Sequence, residues 1–272
     1  MSLGFSLGFN YNRFSGGSFE GFLDKFSGSS LGLSLVKLRK EYTGSAIKVR
    51  RSSDNDVRDI GFVEGVLDTA SLLTFAGSGD AFVPIIYDQV GANNMTQTTA
   101  NLQGQIVSNG SVILKGGKPC ILRSANDNGG YISTYAPNDG ATVKGVFYVG
   151  DNESRDRSIM FGSLTQSNDF AFAAINNDPA SIDSNLAITS TRLNGNSVTI
   201  NTRSQAFNFT NSQFLLYRET EFSFNNNVLG LGYRQNSPAN FGMFTFQELV
   251  IFENTDDATE KENNRNAIYN IY

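Results

Sequence analysis

Apolar and polar positions alternate with a period of two along much of the chain, in short runs. Over residues 46–51, AIKVRR, Ile47 and Val49 fall on one side and Lys48 and Arg50 on the other, the pattern of a half-buried strand. Residues 52–56, SSDND, form a turn cluster whose side chains hydrogen-bond their own backbone, and 57–62 read as the return strand. At 69–76 the period lengthens. Leu72, Leu73 and Phe75 share one side of a short helix, with Asp68 as N-cap and Gly77 as stop. Residues 82–87 form a second, more apolar strand, and 90–101 a polar loop. A hairpin of 105–107 and 111–114 turns at Asn109-Gly110, and 120–123 is a short strand before a turn cluster at 126–130. Beyond Tyr131, strand candidates recur at 143–149, 158–161, 170–175, 186–191, 197–202, 214–217, 228–233 and 244–252. Short strands at this spacing predict an all-β sandwich or barrel. The chain closes on a polar helix within 256–272, capped by Thr255 or Asp256 and packed back through Ile268, Tyr269, Ile271 and Tyr272.

One position breaks the pattern. Strict alternation over 244–252 puts Glu248 on the side of Phe246, Val250 and Phe252. A carboxylate on an apolar face is costly unless paired. Glu248 is therefore a buried ion-pair partner, is turned outward by a β-bulge, or is a site carboxylate.

Residues 1–29 differ from the rest. SLGF occurs twice and Phe recurs among Gly and Ser, a sequence that cannot nucleate a core of its own. It reads as an N-terminal arm attached to a single domain over 30–272. Phe5, Phe9, Phe14, Phe19 and Phe22 are its aromatic anchors, suited to docking into a neighbouring subunit. The competing reading is a flexible terminus with a short helix at 19–26.

Composition narrows the chemistry. With 39% hydrophobic residues in 272, a sizeable core can form, and 22 Phe and 10 Tyr fill it because Trp is absent. A net charge of −5 with only 17% charged residues argues against nucleic-acid binding. Seven Lys or Arg against three acids over 37–58 are a solvated hairpin face or an anion-binding patch. Histidine is absent, which removes the usual general base and the commonest metal ligand. The single Cys120 can form neither an internal disulfide nor a thiolate cluster, and reads as a small core residue. Asp54-Asn55-Asp56 has oxygens suited to calcium but reads as a turn, and Gly77–Asp80 lacks the Lys of a phosphate loop. No cofactor or metal is expected. Neither a signal peptide nor a membrane-spanning run is visible, which points to synthesis and assembly in a cytoplasm.

Residues 35–94 carry a denser signature, LVKLRKEYTGSAIKVRRSSDNDVRDIGF followed by LDTASLLTFAGSGDAFVPIIYDQVGANN. It resembles a module of bacteriophage virion and tail proteins. That module is itself similar to the N-terminal part of the catalytic domain of α-L-arabinofuranosidase B. The resemblance implies a concanavalin-like (laminin-G-like) antiparallel β-sandwich of jelly-roll type, with a short helix near 69–76 and a C-terminal helix. The arabinofuranosidase domain is normally disulfide-bearing, and this chain departs from it there.

The leading functional expectation is a non-enzymatic virion structural protein: a capsid decoration, tail or fibre component, assembled in the host cytoplasm. The arm would anchor it to other virion proteins, and uncovered sheet edges would favour a homo-oligomer. It would bind no nucleic acid and insert in no membrane. The first alternative is a glycan-binding module for a host-surface carbohydrate. Tyr87, Asp88, Gln89, Asn93 and Asn94 would supply the aromatic face and the amide and carboxylate oxygens that hold hydroxyl pairs. The second is a glycoside hydrolase, which needs two carboxylates roughly 5–10 Å apart across one sugar bond. No E-x-D-x-x-E strand is present. The arabinofuranosidase resemblance implies a nucleophile in an acidic, Asn-rich motif and an acid near a later Gly-Asp. Neither is located on this sequence, and Gly150-Asp151 reads as a loop-edge pair.

Overall fold

The structure, a computed structural model, describes residues 19–123, 130–133, 135, 142–153, 157–163, 172–180, 188–210, 212–223, 229–232 and 244–272. Within them the chain is a β-sandwich whose described strand pairings are all antiparallel. One ladder runs from Val57–Ile60 through Ile47–Arg51, Ala81–Ile86, Gly104–Ser108 and Ile121–Arg123 to Phe244–Phe252. It continues through Thr142–Asp151 and Phe214–Ser223 to Ile188–Leu193. A second ladder leaves Ala81–Ile86 through Met95–Thr96, Tyr131–Ile132 and Leu229–Leu231 to Arg157–Ser163 and Phe172–Ile175. Between the ladders lies the main core, with Leu33, Ile47, Ile106, Tyr131, Tyr148, Phe161, Phe172 and Phe246 among its buried members.

The sheet of Thr142–Asp151, Phe214–Ser223 and Phe244–Phe252 also buries its outer face. Helices Phe22–Lys25 and Ala258–Tyr269 cover it, and Phe22, Phe26, Phe147, Tyr217, Phe252 and Tyr269 form a second core there. Burial on both faces explains why all nine residues of Phe244–Phe252 are buried, including Thr245, Gln247 and Glu248. Phe22 is 2% exposed and meets Phe147 and Phe252 edge-to-face, at 6.0 and 5.7 Å between ring centres. It belongs to its own chain's core, which corrects its assignment to an intersubunit arm. Phe19 packs beside Gly65, with Lys37 Nζ 5.5 Å from its ring centre. Phe5, Phe9 and Phe14 lie outside the described residues.

Glu248 is a buried ion-pair partner; a β-bulge is present, but it moves Glu248 to a second core rather than outward to solvent. The register between Thr142–Asp151 and Phe244–Phe252 shifts at Val149/Gly150, with Gln247 the extra residue. Phe246 therefore faces the main core, while Glu248 faces the second core with Val250 and Phe252. There it meets Arg265 Nη1 at 3.0 Å and accepts hydroxyl bonds from Ser34 and Tyr269.

Local grammar elsewhere follows the sequence. Asp68 Oδ1 accepts from Ser71 N, capping helix Thr69–Ala76, which stops at Gly77. The strand expected at 197–202 is instead a two-residue strand, Asn196–Ser197, followed by helix Arg203–Phe209. That helix opens on a Thr202/Gln205 capping box.

Candidate functional site

The loop after Ala81–Ile86 is built around Asp88, which is 3% exposed. Its Oδ1 accepts from Gly32 N and Val90 N, and its Oδ2 from Gly91 N and Asn93 N. Four donors occupy both oxygens. Gln89 is equally committed: Oε1 accepts from Leu38 N, and Nε2 donates to the Ser34 and Val36 carbonyls. Asn94 Oδ1 accepts from Asp88 N. This loop is a clasp holding the strand Ser29–Ser34 and its continuation to the body. Among the residues expected at a sugar site, Asp88 and Gln89 are turned inward to backbone. Tyr87, Asn93 and Asn94 are half-buried; the Tyr87 hydroxyl donates to Asp59 Oδ1 at 2.7 Å, and Asn93 joins the loop through its backbone N–H to Asp88. Burial and the Asp59 charge raise Tyr87 above its ordinary value.

The described carboxylates divide by what holds them. Glu248 is paired with Arg265, Glu262 with Arg192, Asp178 with Arg203, and Asp54 with Arg51. The Arg51 hydrogen bond lowers Asp54 to about 2, so this turn's oxygens serve an internal cation.

Asp151 and Glu153 share Lys115 as Asp54 and Asp56 share Arg51, but here one of the two carboxylates, Asp151, is buried. Lys115 Nζ lies 2.8 Å from Asp151 Oδ2 and 2.7 Å from Glu153 Oε1, so the two oxygens are at most about 5.5 Å apart. That ceiling is wide enough to admit the carboxyl spacing of about 5–5.5 Å of retaining glycosidases. Three elements bring the groups together. Asp151 ends the strand Thr142–Asp151, and its Oδ1 accepts from Glu153 N. Lys115 comes from a two-strand hairpin, Leu114–Lys115 with Lys118–Pro119, whose turn glycines Gly116 and Gly117 have φ of 55° and 73°. Gln247, the bulge residue, donates from Nε2 toward the Lys115, Lys118 and Pro119 carbonyls, and Gln213 Nε2 donates to Gln247 Oε1. The bulge that turns Glu248 inward thus also fastens this hairpin.

Burial opposes charge on Lys115, but its hydrogen bonds to Asp151 and Glu153 outweigh that and raise it above its ordinary value. Nearby, burial pushes the Cys120 thiol up to about 12, reinforced by the Glu153 charge, so it stays protonated and inert. Lys115 and Glu153 escaped sequence reasoning. They come from separate elements, and only the acid run Asp151-Asn152-Glu153 was visible as a local cue. Among the described residues, no three His, Cys, Asp or Glu side chains gather as a metal site. No described helix is long and apolar enough to cross a membrane.

Comparison with known proteins bears on these geometries. Residues 34–146 match the family model for the catalytic domain of α-L-arabinofuranosidase B. Among solved structures, the chain is similar to an arabinofuranosidase complexed with arabinofuranosyl-α-1,2-xylobiose, at 17% identity and a TM-score of 0.55. It is also similar to a Glu-to-Gln mutant of a GH54 α-L-arabinofuranosidase soaked with 4-nitrophenyl α-L-arabinofuranoside, at 15% identity and a TM-score of 0.55. The match covers 88% and 89% of this chain and 62% of each of those. At this identity the likeness is one of fold, and the chain spans under two thirds of those enzymes. No curated protein matches. These findings overturn the expectation of a non-enzymatic virion component: the matching family is a glycoside hydrolase catalytic domain, and nothing in the comparisons points to a virion, capsid or tail. The similarity to the arabinofuranosidase B catalytic domain is supported, whereas the bacteriophage-module resemblance, on which the virion expectation rested, is not.

Proposed function

We propose that the chain is a glycoside hydrolase module directed at α-L-arabinofuranosyl groups. The observation that carries this reading is the match of residues 34–146 to an arabinofuranosidase catalytic domain, within a chain similar in fold to such enzymes over 88% of its length. We assign the double displacement to Asp151 and Glu153, the two carboxylates that Lys115 holds within about 5.5 Å of one another. The buried Asp151 carboxylate would form a bond to the anomeric carbon as the glycosidic C–O bond breaks. Glu153, on the more exposed side, would give its proton to the departing oxygen. Water would then attack the glycosyl ester while Glu153 takes the water's proton, which restores both carboxyl groups.

The test is hydrolysis of 4-nitrophenyl α-L-arabinofuranoside and of arabinoxylan by the full chain. Turnover is expected, with Asp151→Asn and Glu153→Gln each lowering it by about 10²–10⁴-fold. No turnover above blank on either substrate would refute the hydrolase reading. Wild-type turnover that survives both substitutions would refute the residue assignment alone.

One observation favours a second reading, recognition of arabinofuranosyl groups without hydrolysis. Lys115 Nζ occupies one oxygen of each carboxylate, so neither is free to engage a glycosidic bond without displacing the ammonium. On that reading the chain binds arabinoxylan and cleaves nothing, a result the same assay read beside a pull-down would show.

A further inference from the structure

We infer that the open face of the sheet beside the Tyr87 loop is a second carbohydrate contact, a shallow strip that holds the main chain of a neutral pentose polysaccharide. The inference rests on the arabinofuranosyl-directed reading above but concerns different residues. The strip follows from strand register. Lys48 lies opposite Asp59 on one side and Ile85 on the other; Ile85 lies opposite Thr96, and Thr96 opposite Ile132. Directly paired residues on antiparallel strands share a face. Their neighbours Ile47, Ile86, Met95 and Tyr131 are buried in the core, so this row faces outward. With strands about 4.8 Å apart, the row from Asp59 to Ile132 spans four intervals, about 19 Å. That is the dimension of a short stretch of polysaccharide chain rather than of one sugar.

The chemistry of the row is amphipathic in the way a sugar chain is. At one end Asp59 Oδ1 receives both Lys48 Nζ, at 3.3 Å, and the Tyr87 hydroxyl, at 2.7 Å. The ammonium and carboxylate neutralise one another, yet their side chains remain 30% and 47% exposed. Two further N–H bonds of Lys48 and the second Asp59 oxygen are left to serve ring hydroxyls. The middle and far end are aliphatic. Ile85 and Thr96 are half-buried, and Ile132 is 42% exposed, one of the few large apolar residues so exposed among those described. An isoleucine left open on a strand suits the C–H face of a pyranose.

The partner's charge follows from the neighbouring cations. Arg50 is spent on Gln103, Asn55 and the Ala100 carbonyl, and Arg51 on Asp54 and the Phe75 carbonyl. Arg58 lies over the Phe75 ring. Beside the strip, Lys48 is paired with Asp59, and Arg50, Arg51 and Arg58 are held by partners of their own, so a neutral hydroxylated chain is the occupant complementary to the strip.

The experiment measures retention of the full-length chain on insoluble arabinoxylan, beside turnover of 4-nitrophenyl α-L-arabinofuranoside and sedimentation velocity. Ile132→Asp and Lys48→Glu place charge at the far and near ends of the strip; thermal unfolding checks that each is folded. Each variant should be retained about tenfold more weakly, with turnover of the small substrate unchanged. If the wild type is not retained, or folded Ile132→Asp is retained as well as wild type, the strip is not a polysaccharide contact. A change of oligomeric state in Ile132→Asp would also overturn the inference, because the face would then be an interface between copies. If wild-type turnover is absent while the variants still lose retention, the hydrolase reading falls and the strip stands.

Discussion

Replacing Arg265 with leucine removes the only described cation on a fully buried carboxylate. The Glu248 side chain is 0% exposed and that of Arg265 4%. Arg265 Nη1 reaches both Glu248 oxygens, at 3.0 and 3.3 Å, while Ser34 and Tyr269 donate hydroxyl bonds at 2.8 and 3.2 Å. Removing one partner of such a pair costs about 3–5 kcal/mol, because the charge left behind has lost its compensation. The two hydroxyl donors remain and place this site toward the lower end. Arg265 also stacks 4.0 Å from the Phe22 ring centre, a cation–π contact of about 1 kcal/mol or more when desolvated. Together these give about 4 kcal/mol, or a fall in melting temperature of roughly 10 °C for a chain of this size. The assay is a double-mutant cycle by equilibrium denaturation, with Arg265→Leu, Glu248→Leu and the pair. In the double variant two leucines face an apolar cluster, so most of the loss should be recovered, with a coupling energy of at least about 2 kcal/mol. A loss under about 1 kcal/mol in Arg265→Leu, or additivity within about 0.5 kcal/mol, would refute the reasoning.

Other predictions rest on separate contacts. Burial raises Glu262 from 4.5 to about 6, against the pull of Arg192. With the folded value above the unfolded one, folding favours the protonated acid. The penalty is absent well below pH 4.5, grows as pH rises through about 6, and approaches about 2 kcal/mol above it. The stability gap between wild type and Glu262→Gln should therefore shift by nearly that amount between pH 4.5 and 7.5 in chemical denaturation; a constant gap would contradict it. Asp88→Ala strips the acceptor from four backbone N–H groups and should cost about 3 kcal/mol or more, read from the denaturation midpoint. Gly150→Ala should destabilise by about 2 kcal/mol or more, since a Cβ there would collide with the Thr245 carbonyl and the Tyr148 ring.

The recognisable positions between Leu35 and Asn94 are those the fold needs. Asp68 caps a helix, Asp88 and Gln89 tie a loop to a strand, and Arg50 and Arg51 brace the hairpin turn. A signature made of such residues identifies a module and says little about its chemistry. The carboxylate pair lies beyond it, at the end of another strand.

What the sequence determined by itself is local. The period of two around Ile47 and Val49, the Asp68 and Gly77 ends of one helix, and the Asn109-Gly110 turn, with φ of 47° and 72°, each follow from a few adjacent residues and were legible without a structure. The capping box at Thr202 and Gln205 is equally local, and it opens a helix where alternation predicts a strand. Tertiary structure decided which face each strand shows and what meets across it. Alternation assigns Glu248 and Phe246 to one side, and a single extra residue at Gln247 separates them, because a strand slipped by one residue exchanges its faces. The same bulge fastens the hairpin that delivers Lys115 to Asp151 and Glu153, groups more than 30 residues apart in sequence. Such a meeting depends on strand pairing between distant segments, and no local pattern encodes it.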